Sequence, residues 1–336
     1  MTHVLVARQD NAGDVLLVGP AVRAIAAGTD RVTLLCGPVG AHAAALLPGV
    51  DAVLVQRAEW IDADPRPVDP AKIERRVEEV AALGVDCAVI LTSFHQSPLP
   101  LALLLRTAGV PRIGAISVDY PGSLLDVRHE VDDDIHEVQR ALSLAQAMGF
   151  ALPDGDDDRL RVLAGDRPAH GIGHVVVHPG ASVPARAWDP ERHTELVRAL
   201  AAMGRRVVVT GTARERDLTR RVAGGDALDL GGRTSLAQLA DVLAGASCAV
   251  VGNTGPAHLA AAVGTPVVSL YAPTLPAARW RPWRVRHELL YREVPCAGCR
   301  ARRCPVVGHP CIDEVEVADV LAAIGRVSGR EEAVAA

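Results

Sequence analysis

The 336-residue sequence predicts an α/β protein made of two doubly wound domains, each a parallel sheet covered by helices. Short apolar runs of strand length alternate with segments of helical spacing along most of the chain. The alternation stops once, at residues 153–167, which are acidic and poor in apolar side chains. A chain of this length also fits two domains of roughly 150 residues better than one.

The first domain is predicted over residues 1–155. Its strands are expected at residues 4–7, 32–36, 52–55, 87–91 and, from a weaker pattern, 111–115. Its helices are expected at residues 15–27, 71–83 and 135–148. Residues 156–169 are expected to be the linker, because domain boundaries fall in polar stretches that contain Gly and Pro.

The second domain is predicted over residues 170–336 from the same alternation. Its strands are expected at residues 174–177, 206–209, 249–251 and 267–270. Its helices are expected at residues 214–222, 236–243, 256–263 and 315–324. Another helix should begin after Asp189, an N-cap residue that Pro190 follows in the first turn. The last helix is expected to close the second domain, and packing of this helix back on the first domain stays open.

The balance of charges argues against a nucleic-acid partner. Basic and acidic residues nearly cancel at a net charge of −5, so no field of one sign covers the protein. The first residues lack the basic segment of a secretory signal, and no stretch approaches the ~18 apolar residues of a membrane helix. We therefore expect a cytoplasmic protein with no integral membrane segment, whose partner is a small molecule or a glycan. Peripheral contact with a membrane stays open.

The most specific local pattern runs from Gly252 to His258 and reads Gly-Asn-Thr-Gly-Pro-Ala-His. It follows a predicted strand and opens a predicted helix, with Thr254 in the N-cap position. The free N–H groups and the dipole of a helix start attract anions, so a diphosphate is the expected guest. His258, about one turn into the helix, is placed to donate to a phosphate oxygen. Spacing alone equally allows a strand-to-helix turn with a buried histidine.

Two other loops follow predicted strands of the second domain. The first contains Ser182 and Arg186, where Arg186 can neutralise a phosphate with two hydrogen bonds and Ser182 can bond the same group. The alternative is a surface arginine packed on Trp188. The second loop ends in Glu215, which can accept from ribose hydroxyls, although such a residue more often complements a helix N-terminus.

The first domain offers one candidate for proton transfer. Asp14 lies between the first predicted strand and the first predicted helix. A carboxylate at that position stays ionised easily and suits a general base that takes a proton from an acceptor hydroxyl. The alternative is an acid that only complements the first turn of the helix.

The C-terminal region contains a compact cluster of thiols. The four cysteines are Cys296, Cys299, Cys304 and Cys311. Four soft ligands so close together can hold zinc tetrahedrally, so a structural metal site stays open beside the alternative of reduced thiols packed in a loop. The same loop is unusually basic, with Arg300, Arg302 and Arg303.

Other patterns of phosphate or metal chemistry are absent or misplaced. The sequence has no Gly-Lys-Ser/Thr phosphate loop, and its only lysine is Lys72. The acidic run from Asp154 to Asp158 superficially matches an Asp-x-Asp metal motif. It lies in the predicted linker, where a solvated run of charges is the better interpretation.

Taken together, these motifs resemble glycosyltransferase family 9, the ADP-heptose-dependent heptosyltransferases, along the whole chain. The opening Arg8-x4-Gly13-Asp14 is similar to the family's N-terminal signature. The resemblance implies that Asp14 is the catalytic base and that Arg8 and Gly13 lie on the acceptor side.

The second domain carries the donor part of the resemblance. Arg186-Ala187-Trp188 is similar to the family's Lys-x-Trp, and the segment around Thr234 is similar to its stretch near the adenine. The segment Asn253-Thr254-Gly255-Pro256-Ala257-His258 is similar to the donor loop Asp-Thr-Gly-x-x-His. The donor-binding residues expected from the loops and the resemblance are Ser182, Arg186, Glu215, Thr234, Asn253, Thr254, Gly255 and His258.

The resemblance implies the GT-B architecture, two Rossmann-like domains that face each other across a cleft. It also implies an inverting transfer that needs no metal or other cofactor, from ADP-heptose to a glycan, as in lipopolysaccharide core biosynthesis. Asn253 and Arg186 replace the commoner Asp and Lys, and either change can accompany a different sugar. Two alternatives stay open: a nucleotide-sugar-binding protein without transfer activity, and a sugar-nucleotide epimerase or hydrolase on the same fold.

Overall fold

The computed structural model of the protein describes residues 1–62, 64–132, 134–166 and 168–329. Arg167 of the predicted linker and residues 330–336 of the predicted second domain lie outside the described residues. The chain divides into two compact units, Met1–Arg161 and Val162–Ala336. The bounds and the binding roles assigned to the two domains stay predictions.

The first unit is a six-stranded sheet with its covering helices. Its strands are β1 (His3–Arg8), β2 (Arg31–Cys36), β3 (Ala52–Val55), β4 (Cys87–Ile90), β5 (Arg112–Ile116) and β6 (Val127–His129). Its α-helices within the described ranges are α1 (Ala12–Leu17), α2 (Gly19–Ala27), α3 (Ala41–Ala44), α4 (Pro70–Leu83), α5 (Leu99–Thr107) and α6 (Glu137–Ala147). A 3-10 turn, Gly122–Leu124, precedes β6.

The second unit repeats this plan. Its strands are β7 (His174–His178), β8 (Val207–Val209), β9 (Leu228–Asp229), β10 (Ala246–Gly252), β11 (Val267–Leu270) and β12 (His287–Leu290). Its α-helices up to residue 329 are α7 (Pro190–Ala202), α8 (Arg216–Ala223), α9 (Leu236–Ala244), α10 (Gly255–Ala262), α11 (Ala277–Trp280), α12 (Pro310–Asp313) and α13 (Val317–Val327). Two 3-10 turns, Pro184–Arg186 and Ala213–Glu215, follow β7 and β8.

Both sheets are parallel and share one strand order. The first runs β3-β2-β1-β4-β5-β6, and the second runs β12-β11-β10-β7-β8-β9. Counted from its own first strand, each sheet has the order 3-2-1-4-5-6 of dinucleotide-binding folds. The order reverses between β1 and β4 and between β7 and β10, and ligands of such sheets bind at the carboxyl ends of those strands. The predicted class, two doubly wound α/β domains, is confirmed.

The central strands form the buried part of each unit. Leu5, Val89, Val177 and Val250, on β1, β4, β7 and β10, are all fully buried. Parallel strands that helices cover on both faces carry continuous apolar runs, which is why the sequence locates the ends of these strands within three residues.

Three short edge strands of the described sheets are absent from the sequence prediction, whereas the edge strand β3 was predicted. They are β6, β9 and β12, which are three, two and four residues long and only partly buried. Such strands leave no apolar run to detect. Helix α5 is also absent from the prediction, because its sequence Leu-Pro-Leu-Ala-Leu-Leu-Leu-Arg-Thr is apolar without clear helical spacing.

The single helix predicted at residues 15–27 is in fact two helices. Helix α1 ends at Leu17, and α2 begins at Gly19 with Pro20 in its first turn. Proline has no N–H to donate, and its ring clashes with the carbonyl four residues earlier, so one helix cannot continue through this point. The break leaves α1 as a short helix with Asp14 in its first turn.

The final helix belongs to the core of the second unit. Helix α13 buries Val320, Ala323, Ile324 and Val327 in the same apolar cluster as residues of β7, β10 and β11. Its apolar face is therefore used within the second unit. Packing of this helix on the first domain stays a prediction.

The acidic stretch after α6 is partly built into the first unit. Arg23 Nε and Nη2 donate to the two carboxylate oxygens of Asp156 at 2.7 and 2.8 Å. The hydrogen bonds from Arg23 lower the pKa of Asp156 to about 2. Asp154 and Asp157 are exposed, but the Asp156 side chain is only 4% exposed. The interpretation of this run as solvated is therefore wrong at Asp156, which is tied to α2.

The helices of the described chain are short. The longest, α4, has 14 residues, whereas a membrane span needs about 20 apolar residues. None of the described helices is long and apolar enough to cross a bilayer.

Candidate active site

The first unit places Arg8 and Asp14 at its switch point. Arg8 is the last residue of β1, and its side chain is only 2% exposed. Asp14 lies in the first turn of α1, next to the buried Gly13. Arg8 Nη2 donates to Asp14 Oδ1 at 3.3 Å. The structure thus brings together the three residues that the N-terminal signature singles out.

The Arg8 guanidinium contacts three carboxylates in the crevice at the carboxyl ends of β1 and β4. Besides bonding Asp14, Arg8 Nη2 lies 3.0 Å from Asp10 Oδ2, and both Nη atoms donate to Glu137 Oε2 at 3.2 Å. Arg8 Nη2 also donates to Ser93 Oγ at 2.8 Å, and that hydroxyl donates to Asp10 Oδ2 at 2.7 Å. The loops after β1 and β4 and the start of α6 are therefore held by a single cation.

The charges of this cluster shift two pKa values. Burial alone would lower the pKa of Arg8, but the carboxylates of Asp10, Glu137 and Asp14 raise it above its ordinary value. Burial raises the pKa of Glu137, and the positive charge of Arg8 opposes that rise. Arg8 therefore stays cationic, while Glu137 binds a proton more readily than a free glutamate does.

A small cavity adjoins the cluster. Polar and aromatic residues of its wall come from the loops after β1, β3 and β4, and include Gln9, Asp10, Trp60, Thr92, Gln96 and Ser97. Gln96 Nε2 donates to Asp10 Oδ1 at 2.9 Å, so both oxygens of Asp10 are engaged. Thr92 Oγ1 is buried and has no hydrogen-bond partner within the described residues. A buried hydroxyl without a partner is suited to bond a polar ligand.

In the second unit, the predicted anion loop lies at the other switch point. Strand β10 ends at Gly252, and α10 begins at Gly255 with Pro256 in its first turn. Thr254 occupies the N-cap position, but its hydroxyl donates to the Gly252 carbonyl at 3.4 Å and makes no capping bond to the helix. Thr254 therefore occupies the predicted N-cap position but does not make the hydrogen bond of a cap. Pro256 has no N–H, and the Ala257 N–H donates to the Thr254 carbonyl at 3.0 Å, so the Gly255 N–H and the helix dipole are what this start offers to an anion.

His258 is buried one turn into α10, with 4% of its surface exposed. Burial lowers the pKa of His258 to about 4, so the imidazole is neutral at physiological pH. Its Nδ1 is buried and lacks a hydrogen-bond partner among the residues that the structure describes. A neutral imidazole keeps one N–H to donate, which suits a phosphate oxygen. Asn253, before the helix, is buried as well.

Arg186 lies against this loop. It ends the 3-10 turn after β7, and a side chain on Gly252 would come within 3.2 Å of the Arg186 carbonyl. Arg186 Nε donates to Thr274 Oγ1 at 3.3 Å, in the loop after β11. Glycine at position 252 therefore permits a close approach of two backbones across the switch point.

Next to Arg186, Trp188 is part of the core. It is 2% exposed, and its Nε1 donates to the Val315 carbonyl at 3.1 Å. Its ring meets His193 edge to face, with the centroids 4.9 Å apart. Burial lowers the pKa of His193 to about 3 and also lowers that of His178, whose Nδ1 lies 3.0 Å from Thr210 Oγ1.

The other predicted donor residues lie in loops on the same edge of the sheet. Glu215 Oε2 accepts from the N–H and the hydroxyl of Thr212 at 2.7 and 2.8 Å, so Glu215 caps a helix start, as the alternative had it. The Glu215 carboxylate also fills the space that a side chain on Gly180 would need. The loop after β8 therefore packs against the loop after β7 at this point. Ser182 is exposed, and Thr234 is half-buried in the loop after β9.

Five polar residues of the two crevices were not identified from the sequence. They are Asp10, Ser93, Gln96, Glu137 and Thr274. The first three follow β1 and β4 by two to six residues, so their position after a predicted strand was a usable signal. Glu137 and Thr274 carry no local motif, and only the fold brings them to the crevices.

The C-terminal thiols do not form a metal site in the part of the chain that the structure describes. Among these residues, no group of three or more His, Cys, Asp or Glu side chains is arranged to hold a metal ion. Cys296 and Cys299 are exposed, whereas Cys311 is buried. Burial raises the pKa of Cys311 to about 11. The geometry therefore gives no support to the zinc site that the sequence left open.

Sequence comparison identifies one family. A family-wide sequence model for glycosyltransferase family 9 (heptosyltransferase) matches residues 94–308. Lipopolysaccharide heptosyltransferase 1 of Pseudomonas aeruginosa is 34% identical over 174 residues, which cover 50% of this chain and 48% of that protein. The chain thus spans about half the length of the curated relatives that it matches.

Solved structures share the fold. A glycosyl transferase family 9 structure from Veillonella parvula has a TM-score of 0.80 at 15% identity and covers 98% of both chains. An E. coli heptosyltransferase with ADP-2-deoxy-2-fluoro heptose has a TM-score of 0.75 at 20% identity and covers 97% of this chain and 99% of that one. At such identities the likeness concerns the fold alone.

Acid should destabilise the second unit through its buried histidines. The pKa values of His193 and His258 are about 3 and about 4, against 6.5 for an ordinary histidine. The unfolded chain therefore binds protons that the folded chain does not. The stability from these neutral rings is present above about pH 6.5 and is lost as the pH falls toward about 4.

We expect His193→Phe to reduce this loss, because phenylalanine keeps an aromatic ring against Trp188 and does not titrate. The measurement is the free energy of unfolding by denaturant at a series of pH values between about 7 and 4.5. His42→Phe, at an exposed histidine of the first unit, is the matched control. A pH dependence in His193→Phe equal to that of the wild type would contradict a buried neutral His193.

Proposed function

The chain belongs to glycosyltransferase family 9, and we propose that it transfers a heptose from ADP-heptose to a hydroxyl of a glycan, with inversion at the anomeric carbon. The observation that carries the proposal lies in the second unit. There the start of α10, a buried neutral histidine and Arg186 lie at one switch point. Similarity to proteins named heptosyltransferases, one of them solved with an ADP-heptose analogue, supports the same donor.

The donor diphosphate is proposed to bind at the start of α10. Gly255 lets a phosphate approach the backbone, and the Gly255 N–H and the helix dipole supply partial positive charge. His258 donates one ring N–H to a phosphate oxygen. Arg186 supplies a full charge in a fork that matches two oxygens. Ser182 adds a hydroxyl from the loop after β7.

The nucleoside is proposed to lie along the loops after β8 and β9, which contain Glu215 and Thr234. Thr212 already engages one oxygen of Glu215, so the ribose contact would use the other oxygen. Asn253 is neutral where the family pattern has aspartate. We therefore assign to Asn253 a part in the choice of the sugar.

Asp14 is proposed as the general base. Its side chain is 19% exposed, whereas those of Asp10 and Glu137 on the same guanidinium are 5% and 1% exposed. Of these three carboxylates, Asp14 is therefore the one that a ligand hydroxyl can reach. The hydrogen bond from Arg8 holds one oxygen of Asp14 and so orients the other.

Transfer is proposed to occur in one displacement. Asp14 accepts the proton of the acceptor hydroxyl while that oxygen forms a bond to the anomeric carbon. The bond from this carbon to the ADP oxygen breaks on the opposite face, which inverts the configuration. Arg186 and the start of α10 stabilise the negative charge of the leaving diphosphate, a task that metal ions perform in other phosphate sites. The proposal therefore requires no metal, and chelators should not slow the reaction.

Asp14→Asn should lower turnover by about 10²- to 10⁴-fold and leave ADP affinity unchanged, because it removes the proton acceptor and no donor contact. Turnover is measured as ADP release from ADP-heptose with a glycan that the wild type glycosylates, and affinity by calorimetry. Asp64→Asn, at an exposed aspartate of the first unit, is the control. Wild-type turnover in Asp14→Asn would remove Asp14 from the mechanism.

Arg186→Ala should weaken ADP binding by about 10- to 100-fold, because hydrogen bonds to charged groups contribute about 1.5–3 kcal/mol. Affinity for adenosine should not change, and Arg186→Lys should retain part of the ADP affinity. The same titrations with UDP- and GDP-sugars test the donor, and only adenine nucleotides are expected to bind tightly. Equal ADP affinity in Arg186→Ala and the wild type would place the phosphates elsewhere.

A further inference from the structure

The basic segment after β12 has no part in the proposed mechanism. We call residues 294–309 the arginine loop, because they include Arg300, Arg302 and Arg303 and no acidic residue. All three arginine side chains are exposed. Neither Arg302 nor Arg303 forms an ion pair within the described residues. Such a concentration of one charge calls for an anionic partner.

The arginine loop first contacts the loop after β11. Gly298 N donates to the Pro273 carbonyl at 2.7 Å, and Arg300 N donates to the Thr274 carbonyl at 3.0 Å. Thr274 is also the residue that accepts from Arg186 Nε through its hydroxyl. These hydrogen bonds fix the first half of the arginine loop on the carboxyl edge of the second sheet.

The second half of the arginine loop reaches the loop after β7. Ala185 N donates to the Arg302 carbonyl at 3.1 Å, and His309 Nε2 lies 3.1 Å from the Ala185 carbonyl. Strands β12, β11, β10 and β7 are neighbours in that order, so with about 4.8 Å per strand the loop spans about 14 Å. The carboxyl end of β10, where α10 begins, lies between those of β11 and β7 in the sheet.

This course places the loop beside the candidate phosphate site. Its backbone bonds to Thr274, which accepts from Arg186, and to Ala185, which precedes Arg186 in the chain. The backbone hydrogen bonds use the N–H of Arg300 and the carbonyl of Arg302, so they do not occupy the guanidinium groups.

We propose that the arginine loop is a second anion site at the rim of the β7–β10 crevice, and that it binds a phosphate group of a substrate. The inference deepens the proposed function and rests on it for the identity of the crevice. A nucleotide-sugar diphosphate carries about two negative charges, and Arg186 with the start of α10 supplies about 1.5 positive charges. The two charges of Arg302 and Arg303 exceed what the bound donor needs.

Two sources of phosphate fit this excess of charge. The leaving ADP carries one more negative charge than the intact donor, so the loop can act mainly on the leaving group. Alternatively, the acceptor carries a phosphate of its own. The shared chemistry is a phosphate group, and binding experiments separate the two sources.

The test compares the wild type with Arg302→Ala/Arg303→Ala by calorimetry on the full chain at low salt. Both replacements keep the backbone carbonyl that Ala185 bonds, so the fold should be retained, which the thermal midpoint checks. The probes are ADP, adenosine, and inorganic pyrophosphate added to free and to ADP-saturated protein. Arg198→Ala/Arg220→Ala removes the same charge from exposed positions on α7 and α8 and is the control.

A role on the leaving group predicts that ADP affinity falls by about fivefold or more, with adenosine affinity unchanged. If the phosphate comes from a separate source, the double variant should keep its ADP affinity. Its affinity for pyrophosphate, measured on ADP-saturated protein, should then fall by about fivefold or more. Either loss should shrink at high salt, because exposed charges are screened. Wild-type affinities for every probe would overturn the proposal.

The two proposals fail in different ways. If the wild type does not bind ADP, the proposed donor is wrong, whereas a loss of pyrophosphate binding to the free double variant still supports the arginine loop. If the wild type binds ADP and the double variant matches it for ADP and pyrophosphate, the proposed function stands and the arginine loop is not an anion site.

Discussion

Each sheet reverses its strand order once, and that reversal fixes where either unit can bind a ligand. Neighbouring connections leave the carboxyl ends of β1 and β4, and of β7 and β10, in opposite directions, which opens a crevice there. Arg8, Asp14 and Ser93 lie at the first crevice, and Gly255 and Arg186 lie at the second. The rest of each unit is a packed apolar core that holds these loops in place.

The two crevices are charged in opposite senses. In the first, three carboxylates share the single guanidinium of Arg8, which suits a site that accepts protons. In the second, a helix start, Arg186 and the neighbouring arginine loop concentrate positive charge, which suits phosphate. Neutral buried His258 lets that site offer an N–H without a further charge. A transferase needs both characters, one for the nucleophile and one for the leaving group.

The sequence was sufficient for the parts of this arrangement that depend on local chemistry. Continuous apolar runs located the central strands, Asp189 and Pro190 located the start of α7, and Gly252 to His258 located the second crevice. The edge strands β6, β9 and β12 had no such signal, and Pro20 divided a helix that apolar spacing had joined. Glu137 enters the Arg8 cluster from 129 residues away, a contact that only the tertiary fold determines.

The most direct test of this account is a crystal structure of the protein with ADP. The account predicts density for the two phosphates at the N-terminus of α10, within hydrogen-bond distance of the Gly255 N–H and the Arg186 guanidinium, with the adenine toward the loops after β8 and β9. ADP bound anywhere else, or phosphates that contact neither Arg186 nor the start of α10, would contradict the claim that the β7–β10 switch point is the donor site.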